Sequence, residues 1–517
     1  MTPRSQRPKN LLLDSGMRTA TVLLFAATSA FCQNSTPADV RTWVRTHEVA
    51  IFREFTGLLA IPNVHGDLPN LKKNAEYLRD MLMRRGMNPE IWQATPDVAP
   101  TLFAEKLVPG ATRTILFYIH FDGQQIDRAR WKQQDPFIPV LRDNSIDSGG
   151  KVLANASSLG EFQREWRIYA RGAGDDKGPI EAFVSALDAI GGTPASNIKL
   201  ILDGEEEGGG TGLPAALRTH HDRLQSDVMV FLDGPQHPTG RPTIYYGARG
   251  GTGVEVTVYT AKGGMHSGNY GNWMPDANVR LAQLLASMVA PSGKVLIDGF
   301  YSDVLPLPDD AVKMIDAVPD DTAAMQKLYG VGSVDGAARS LQEGLNLPSF
   351  SVHMMRGGEL GGVIPASAIA EILMRLVKEN SPRAMQDRVI EHIRRQGYFI
   401  TDRDPDLATL ASHSRVAKIS RTLGVGAAGG AWRTDPQDSQ AVFVTEALRA
   451  AWGDRLVRLR TLGGTLPVVE FIDELHVPVV GVAIANSDDN QHTDDENLRL
   501  GNLWDGIETL SAIMRAK

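Results

Sequence analysis

Residues 198–210 read Ile-Lys-Leu-Ile-Leu-Asp-Gly-Glu-Glu-Glu-Gly-Gly-Gly, an apolar run that passes directly into acidic residues and then glycines. A short apolar run bounded by glycine is typical of a buried strand. Similar runs lie at residues 115–119, 228–232 and 477–484, and helical patterns separate several of them. Strands that alternate with helices indicate βαβ units. We therefore predict an α/β fold, a mostly parallel mixed sheet with helices on both faces.

The pattern changes after residue 249. Residues 253–259 alternate between apolar and polar side chains, as a half-exposed strand does, and helical stretches follow at 277–289 and 383–396. The pattern of the larger sheet returns near the C-terminus. We therefore predict that a smaller α+β domain, residues 249–402, is inserted into a catalytic domain formed by residues 36–248 and 403–517.

The composition limits the kinds of site that the chain can build. The 517 residues include 53 basic and 61 acidic residues, 12 histidines and one cysteine. A net charge of −8 argues against nucleic-acid binding, which usually requires a basic surface. One cysteine cannot form a sulfur-rich metal site. Any protein-bound metal must therefore be held by histidine, aspartate and glutamate.

The N-terminus has the composition of an export signal. Basic residues precede an apolar run at 19–32, which is too short for a membrane-spanning helix, and no later segment is long and apolar enough to span. We predict a signal peptide at residues 1–32, cleavage near Ala30, and a periplasmic or secreted protein. Two points stay open: whether translation starts at the first methionine or at Met17, and whether Cys32 carries a lipid.

Candidate metal ligands follow every strong apolar run, and the carboxyl ends of parallel strands meet in such a sheet. A further acidic pair, Asp175-Asp176, lies at the predicted start of a helix. Nitrogen and oxygen ligands without sulfur fit zinc, with cobalt or manganese as alternatives. Two such ions could generate hydroxide near neutral pH and polarise a carbonyl. A carboxylate that is not a ligand would then act as the general base.

Six motifs in the chain carry a family resemblance. They are His120-Phe-Asp122, residues 170–178 (ARGAGDDKG), residues 202–209 (LDGEEEGG), Leu232-Asp233, residues 265–271 (MHSGNYG), and His492 with Glu496. Together they resemble the co-catalytic zinc metallopeptidases of the M20 type, a group with carnosine dipeptidases, carboxypeptidase G and acetylornithine deacetylase. The resemblance extends from about residue 40 to residue 515.

The resemblance implies two metal ions and assigns their ligands. His120 and Asp233 would hold one ion, Glu207 and His492 the other, and Asp175 would bridge them. In this family a carboxylate beside the metal ligands serves as the general base, and the inserted domain serves as lid and dimerisation domain. The resemblance therefore also implies a homodimer formed through the inserted domain.

The remaining site residues are assigned in the same way. Glu206 would be the general base, and Asp122 would orient the His120 ring. His266, on the inserted domain, matches a histidine that reaches the partner's active site and stabilises the oxyanion. The residues that would bind a substrate carboxylate are Arg375, Gly464 and Thr465.

The sequence departs from the M20 pattern at Gly123-Gln-Gln125, Gly210 and Gly362, and residues 145–163 resemble an insertion near the site. These departures leave the substrate open. We predict an exported di-metal hydrolase that cleaves dipeptides or C-terminal peptide bonds by a metal-bridging hydroxide. One alternative is an N-acyl amino acid deacylase. The other is a catalytically silent binding protein, which the presence of Glu206 and all five candidate ligands disfavours. The expected substrate is a small peptide or N-acyl amino acid with a free carboxylate.

Two rival motifs do not fit their usual context. Residues 424–429 read Gly-Val-Gly-Ala-Ala-Gly, but they follow an apparent helix, whereas a dinucleotide-binding loop follows a strand. The chain has no Gly-x-Ser-x-Gly motif of the kind that carries the nucleophile of α/β-hydrolases. Neither a dinucleotide site nor a serine hydrolase is therefore predicted.

Overall fold

The described part of the chain, in a computed structural model, comprises residues 37–154, 160–336, 338–358, 361–422 and 430–517. The predicted signal peptide at 1–32 and the glycine motif at 424–429 lie outside these ranges. No helix within the described ranges is long and apolar enough to cross a membrane.

A mixed sheet of eight strands forms the larger part of the fold. Its strands are β1 (Asn88–Trp92), β2 (Thr101–Lys106), β3 (Thr114–His120), β6 (Asn197–Asp203), β7 (Val228–Phe231), β8 (Thr243–Tyr245), β18 (Val457–Leu459) and β19 (Val479–Ala483). The spatial order is β1-β2-β6-β3-β7-β19-β8-β18. The four central strands β6, β3, β7 and β19 are parallel to one another, so their carboxyl ends lie at one edge. They are the four apolar runs of the sequence, and they confirm the predicted α/β fold.

Helices cover both faces of this sheet. They are α1 (Pro37–Leu59), α2 (Leu68–Met83), α3 (Lys177–Ala189), α4 (Gly212–Thr219), α5 (His221–Leu224), α13 (Ser439–Trp452), α14 (Val468–Leu475) and α15 (Leu500–Arg515). Successive side chains of a strand point to opposite faces. Accordingly, Phe117 of β3 packs into one hydrophobic cluster with α1, α3 and α15, whereas its neighbour Tyr118 packs into a second cluster with α4 and α14.

A second, five-stranded sheet carries the other part of the fold. Its strands are β10 (Gly250–Tyr259), β12 (Ser349–Gly357), β14 (Ser367–Leu376), β15 (Phe399–Thr401) and β16 (Val416–Thr422), in the order β12-β14-β10-β16-β15. Helices α7 (Ala277–Ala286) and α11 (Pro382–Arg395) pack on it around buried Val256, Leu281 and Val389. Strand β16 lies beyond the predicted boundary at residue 402, so the segment that forms this sheet extends to Thr422. The division into domains stays a prediction.

Short elements connect these two parts. Three small sheets pair β4 (Val140–Arg142) and β20 (Asn497–Arg499) with β5 (Arg167–Tyr169), β9 (Gly247–Ala248) with β17 (Trp432–Arg433), and β11 (Met265–His266) with β13 (Val363–Ile364). The remaining helices are α6 (Ser267–Tyr270), α8 (Asp309–Asp316), α9 (Thr322–Tyr329), α10 (Leu341–Leu345) and α12 (Leu407–Ser412). The β4-β5-β20 sheet lies next to the predicted insertion, and β5 leads into the segment that carries Asp175.

Helix α3 contains a buried glutamate that makes stability depend on pH. The side chain of Glu181 is fully buried, and its Oε1 accepts a hydrogen bond from Ser185 at 3.0 Å. Its Oε2 has no partner among the described residues. Burial and the nearby charge of Glu54 raise the pKa of Glu181 well above its usual range, against the attraction of Arg85. The folded protein therefore favours the protonated carboxyl, and this favourable contribution is lost as pH rises from the unfolded pKa toward the folded one.

We expect Glu181→Gln to raise the free energy of unfolding at pH 8 by about 1–3 kcal/mol. At this pH the wild type must either bury a charged carboxylate or take up a proton on folding, and the neutral amide avoids both costs. The gain should shrink toward pH 4.5, where the unfolded carboxyl is itself half protonated. Urea unfolding at both pH values measures it. The control is Glu76→Gln on the exposed face of α2, which should follow the wild type. A Glu181→Gln protein with wild-type stability at pH 8 would contradict this account.

Candidate metal centre

Five predicted ligands from five segments converge at the carboxyl edge of the parallel strands. His120 is the last residue of β3, Glu207 lies in the turn after β6, and Asp233 follows β7. Asp175 lies two residues before α3, and His492 lies in the loop between β19 and β20. Their proximity follows from the parallel arrangement of the strands, which ends each of them at the same edge.

The five side chains form two groups that share one carboxylate. The donor atoms of His120, Asp175 and Asp233 lie within 4.8 Å of one another, as do those of Asp175, Glu207 and His492. Nε2 of His120 is 2.8 Å from Oδ1 of Asp175, and Nε2 of His492 is 3.1 Å from Oδ2 of Asp175. Each oxygen of Asp175 thus faces a different group, which is the arrangement that a carboxylate between two cations requires.

The cluster holds more negative charge than its surroundings compensate. Burial and the charge of Asp175 raise the pKa of Asp233 to about 6 and that of Glu207 to about 7. Hydrogen bonds to Asp175 and Glu207 raise the pKa of His492 to about 11. Near neutral pH the His492 imidazole therefore keeps its proton, Glu207 is partly protonated and Asp233 is mostly ionised. A divalent cation would displace the protons and leave neutral imidazoles and ionised carboxylates as its ligands, so the donor set fits two such ions.

Asp122 connects His120 to the acidic turn. Its side chain is fully buried, with Oδ1 3.4 Å from Nδ1 of His120. It also accepts hydrogen bonds from the backbone N–H groups of Glu206 at 3.1 Å and Glu207 at 3.0 Å. The residue predicted to orient one imidazole thus also holds the turn that carries two acidic site residues, a contact that the sequence does not reveal.

Glu496 holds the loop that carries Asp175 through hydrogen bonds to the backbone. It is fully buried, and its carboxylate accepts hydrogen bonds from Nη1 of Arg171 at 2.7 Å and from the backbone N–H groups of Gly172, Gly174 and Asp175, each at 3.0 Å. These contacts fix the loop that presents Asp175. The sequence places Glu496 in a motif but gives it no role.

Gln124 contacts the second group of ligands. Its Nε2 donates a hydrogen bond to Oε2 of Glu207 at 2.8 Å. Sequence reasoning noted this segment only as a departure from the family pattern. Its position two residues after Asp122 is the signal that could have indicated a supporting role.

Glu206 lies beside the ligands and belongs to neither group. It lines the cleft with Glu207 and Asp233. Burial, together with the negative charges of Asp233 and Glu207, raises the pKa of Glu206 well above its usual range, against the opposing effect of His120. A carboxyl that readily holds a proton next to the reacting groups has the property that a general acid and base requires.

The predicted carboxylate-binding residues line the same cleft, which has a volume of about 800 Å³. Arg375 comes from β14 of the second sheet, and its Nη1 donates to Oγ1 of Thr465 at 2.5 Å. Gly464 lies next to Thr465 in the loop after β18. Of the described carboxylates, none forms an ion pair with Arg375, and burial lowers the pKa of this side chain. Arg375 is thus placed to receive a carboxylate from a bound molecule.

His266 does not reach the cleft of its own chain. It lies in β11, where Nδ1 accepts a hydrogen bond from the backbone N–H of Gly268 at 3.1 Å and the residue is exposed. It is not among the residues that line the cleft. A single chain therefore brings together every predicted site residue except this one.

Comparisons with known proteins relate the chain to a peptidase family. The model of peptidase family M20/M25/M40 matches residues 116–516. The human Beta-Ala-His dipeptidase is 27% identical over 427 residues, which cover 80% of this chain and 77% of the relative. The Cys-Gly metallodipeptidase DUG1 of Candida albicans is 24% identical over 483 residues, 88% of this chain and 92% of the relative.

A solved structure shows the same fold. The crystal structure of human carnosine dipeptidase 1 superimposes with a TM-score of 0.71 at 24% identity, over 93% of this chain and 98% of that chain. The α/β fold with a smaller second part, predicted from the sequence, is thereby confirmed. Proteins of the M20 family bind two metal ions.

The predicted export is contradicted. Relatives such as DUG1 and the carnosinase-like dipeptidases are largely cytosolic, which contradicts a periplasmic or secreted location. The prediction of a periplasmic or secreted protein rested on residues 1–32, which are not described. The prediction used only the composition of this segment, a short apolar run after basic residues. That composition does not distinguish a signal peptide from other N-terminal segments.

The family model covers most of the chain, from β3 to the last helix, and includes all the candidate ligands. The curated relatives are metallodipeptidases, and the fold and the donor cluster agree with them. The chain belongs to peptidase family M20/M25/M40 and is a metallopeptidase.

Proposed function

We propose that this metallopeptidase is an exopeptidase that hydrolyses dipeptides or the C-terminal bond of short peptides. The observation that carries the proposal is one cleft that contains both the two-group donor cluster and Arg375. The names of the relatives support it, since both the human and the Candida albicans proteins are called dipeptidases. A substrate that ends in a carboxylate would place its last peptide bond over the cluster.

The ligand assignment follows from the two groups. His120 and Asp233 would hold one cation, Glu207 and His492 the other, and Asp175 would lie between them. Zinc fits these nitrogen and oxygen donors, as do cobalt and manganese. When bound, the ions would lower the pKa of a water molecule and polarise the carbonyl of the scissile bond.

Glu206 would transfer the proton. Its carboxylate accepts a proton from the attacking water and then donates it to the nitrogen of the leaving amine, which departs as a neutral amine. The carboxyl lines the cleft beside both groups of ligands, and its raised pKa favours the protonated form between these two steps. Asp122 would keep Glu206 in place through its hydrogen bond to the Glu206 backbone N–H.

Arg375 and the loop after β18 would bind the substrate carboxylate. A guanidinium pairs with a carboxylate through two parallel hydrogen bonds, which fixes both distance and orientation. Thr465 already holds Nη1 of Arg375, and the backbone at Gly464 is exposed next to it. This contact would reject peptides whose C-terminus is blocked.

We also propose a homodimer formed through the second sheet. His266 is exposed on its own chain, close in sequence to Trp273, whose surface is 73% exposed, and it pairs in β11 with Val363, which is 55% exposed. Exposed apolar side chains of this size are typical of an interaction surface. In the dimer His266 would enter the partner's cleft and donate a hydrogen bond to the carbonyl oxygen as negative charge develops on it.

We expect Glu206→Gln to lower kcat for dipeptide hydrolysis by about 10²–10⁴-fold, the contribution of a positioned general base. Metal content, measured by elemental analysis, should stay at the wild-type value because Glu206 is not a ligand. The matched control is Glu205→Gln in the same acidic run, where the amide oxygen can still accept the hydrogen bond from Gly212. Wild-type turnover by Glu206→Gln would refute the assigned base.

We expect His120→Ala to reduce the bound metal from about two equivalents to about one, because one group loses its only imidazole. Elemental analysis after dialysis measures the loss. His221→Ala removes a surface histidine of α5 and should leave metal content unchanged. Two full equivalents in His120→Ala would show that this residue is not a ligand.

Mixing two inactive variants tests the dimer. A mixed dimer of Glu206→Gln and His266→Ala contains one cleft with its own Glu206 and the partner's His266, so activity should recover to about a quarter of wild type after random exchange of subunits. Neither variant alone should gain activity on dilution and reconcentration. No recovery in a sample in which mass spectrometry detects mixed dimers would contradict the shared site.

A further inference from the structure

One wall of the cleft is apolar and has no part in the mechanism described above. It consists of Leu213 and Pro214 at the start of α4 and Leu462 and Leu466 in the loop before α14. The three leucines belong to a single buried hydrophobic cluster behind the cleft. Because α4 and α14 pack against each other, this wall is fixed by the core and does not depend on a bound molecule.

The apolar wall begins directly beside the metal ligands. A Cβ atom at Gly234 would lie only 2.9 Å from Cδ2 of Leu462, so this leucine covers the residue that follows Asp233. A substrate with its scissile bond over the cluster must therefore place a neighbouring part of the molecule on Leu462. Leu462 is therefore the part of the apolar wall that a bound substrate contacts next to the metal ligands.

Glu470 also lines the cleft, and it comes from α14, which carries none of the metal ligands. It lies in the first turn of α14 and is half-buried. Within the described ranges it makes no hydrogen bond and no ion pair; Arg218 attracts it only at longer range. A carboxylate beside leucine side chains loses hydration, and a cation from the substrate would restore the lost stabilisation.

The charge of Glu470 indicates which half of the substrate lies there. The substrate carboxylate is attracted to Arg375 and repelled by Glu470, so the portion that follows the scissile bond faces Arg375. The portion on the amino side of the scissile bond is left for the apolar wall. A long aliphatic side chain with a positive end matches this wall, since its methylene groups can lie on the leucines while its charge meets the carboxylate.

We propose that Leu213, Leu462, Leu466 and Glu470 form a subsite for a lysine or arginine side chain of the residue on the amino side of the scissile bond. The inference rests on the proposed exopeptidase function. It names the substrate class as dipeptides or short peptides with a basic residue before a C-terminal residue that has a free carboxylate.

Three dipeptides test the subsite with the metal-loaded protein: lysyl-glycine, norleucyl-glycine and glutamyl-glycine. Norleucine has the same aliphatic chain as lysine without the ammonium group. The wild type should hydrolyse lysyl-glycine with a kcat/KM about tenfold above norleucyl-glycine, and glutamyl-glycine least well. In Glu470→Gln the ratio of lysyl- to norleucyl-glycine should fall to near one, and Glu470→Lys should favour glutamyl-glycine over lysyl-glycine.

Glu474→Gln is the matched control, since Glu474 lies one turn later on α14 and lines a separate surface groove. It should leave the ratio as in the wild type. Hydrolysis of norleucyl-glycine reports on the proposed function alone, so its absence together with that of the other two would overturn both proposals. Cleavage of norleucyl-glycine with no preference for lysine, or a preference that Glu470→Gln leaves unchanged, would overturn the subsite and leave the exopeptidase function standing.

Discussion

The fold places four carboxylates and two imidazoles in one cluster. The carboxylates repel one another, and the surrounding structure holds them together against this repulsion. Asp175, Glu206, Glu207 and Asp233 lie together at the carboxyl edge of the central strands. Like charges at this distance raise one another's pKa, as they do for Asp233 and Glu207. Two divalent cations would turn this repulsion into ligand binding. The site is therefore a candidate metal centre on electrostatic grounds before any family is considered.

The supporting contacts keep the cluster in place by backbone hydrogen bonds. Glu496 accepts hydrogen bonds from three backbone N–H groups of the loop before α3, and Asp122 accepts two from the turn after β6. Both supporting carboxylates are fully buried, and Glu496 is paired with Arg171. Ligands held in this way need little rearrangement when ions bind. The second sheet contributes Arg375 from β14, so the cleft depends on both parts of the fold.

The sequence predicted those features that depend on local pattern and on strand order. The apolar runs became β3, β6, β7 and β19, and their trailing acids and histidines met because parallel strands end at one edge. Strand β16 was missed as part of the second sheet because its pairing with β10 joins residues more than 150 positions apart. The contact of Gln124 with Glu207 and the place of Glu470 in the cleft likewise depend on tertiary packing. The export prediction failed because it rested on composition.

Crystals grown with zinc test whether two cations share the carboxylate of Asp175. Anomalous difference maps at the zinc absorption edge should show two peaks roughly 3.5–4 Å apart, on opposite sides of the Asp175 carboxylate. One peak should lie against His120 and Asp233, the other against Glu207 and His492. A single peak in a fully loaded crystal, or two peaks at other side chains, would contradict the account.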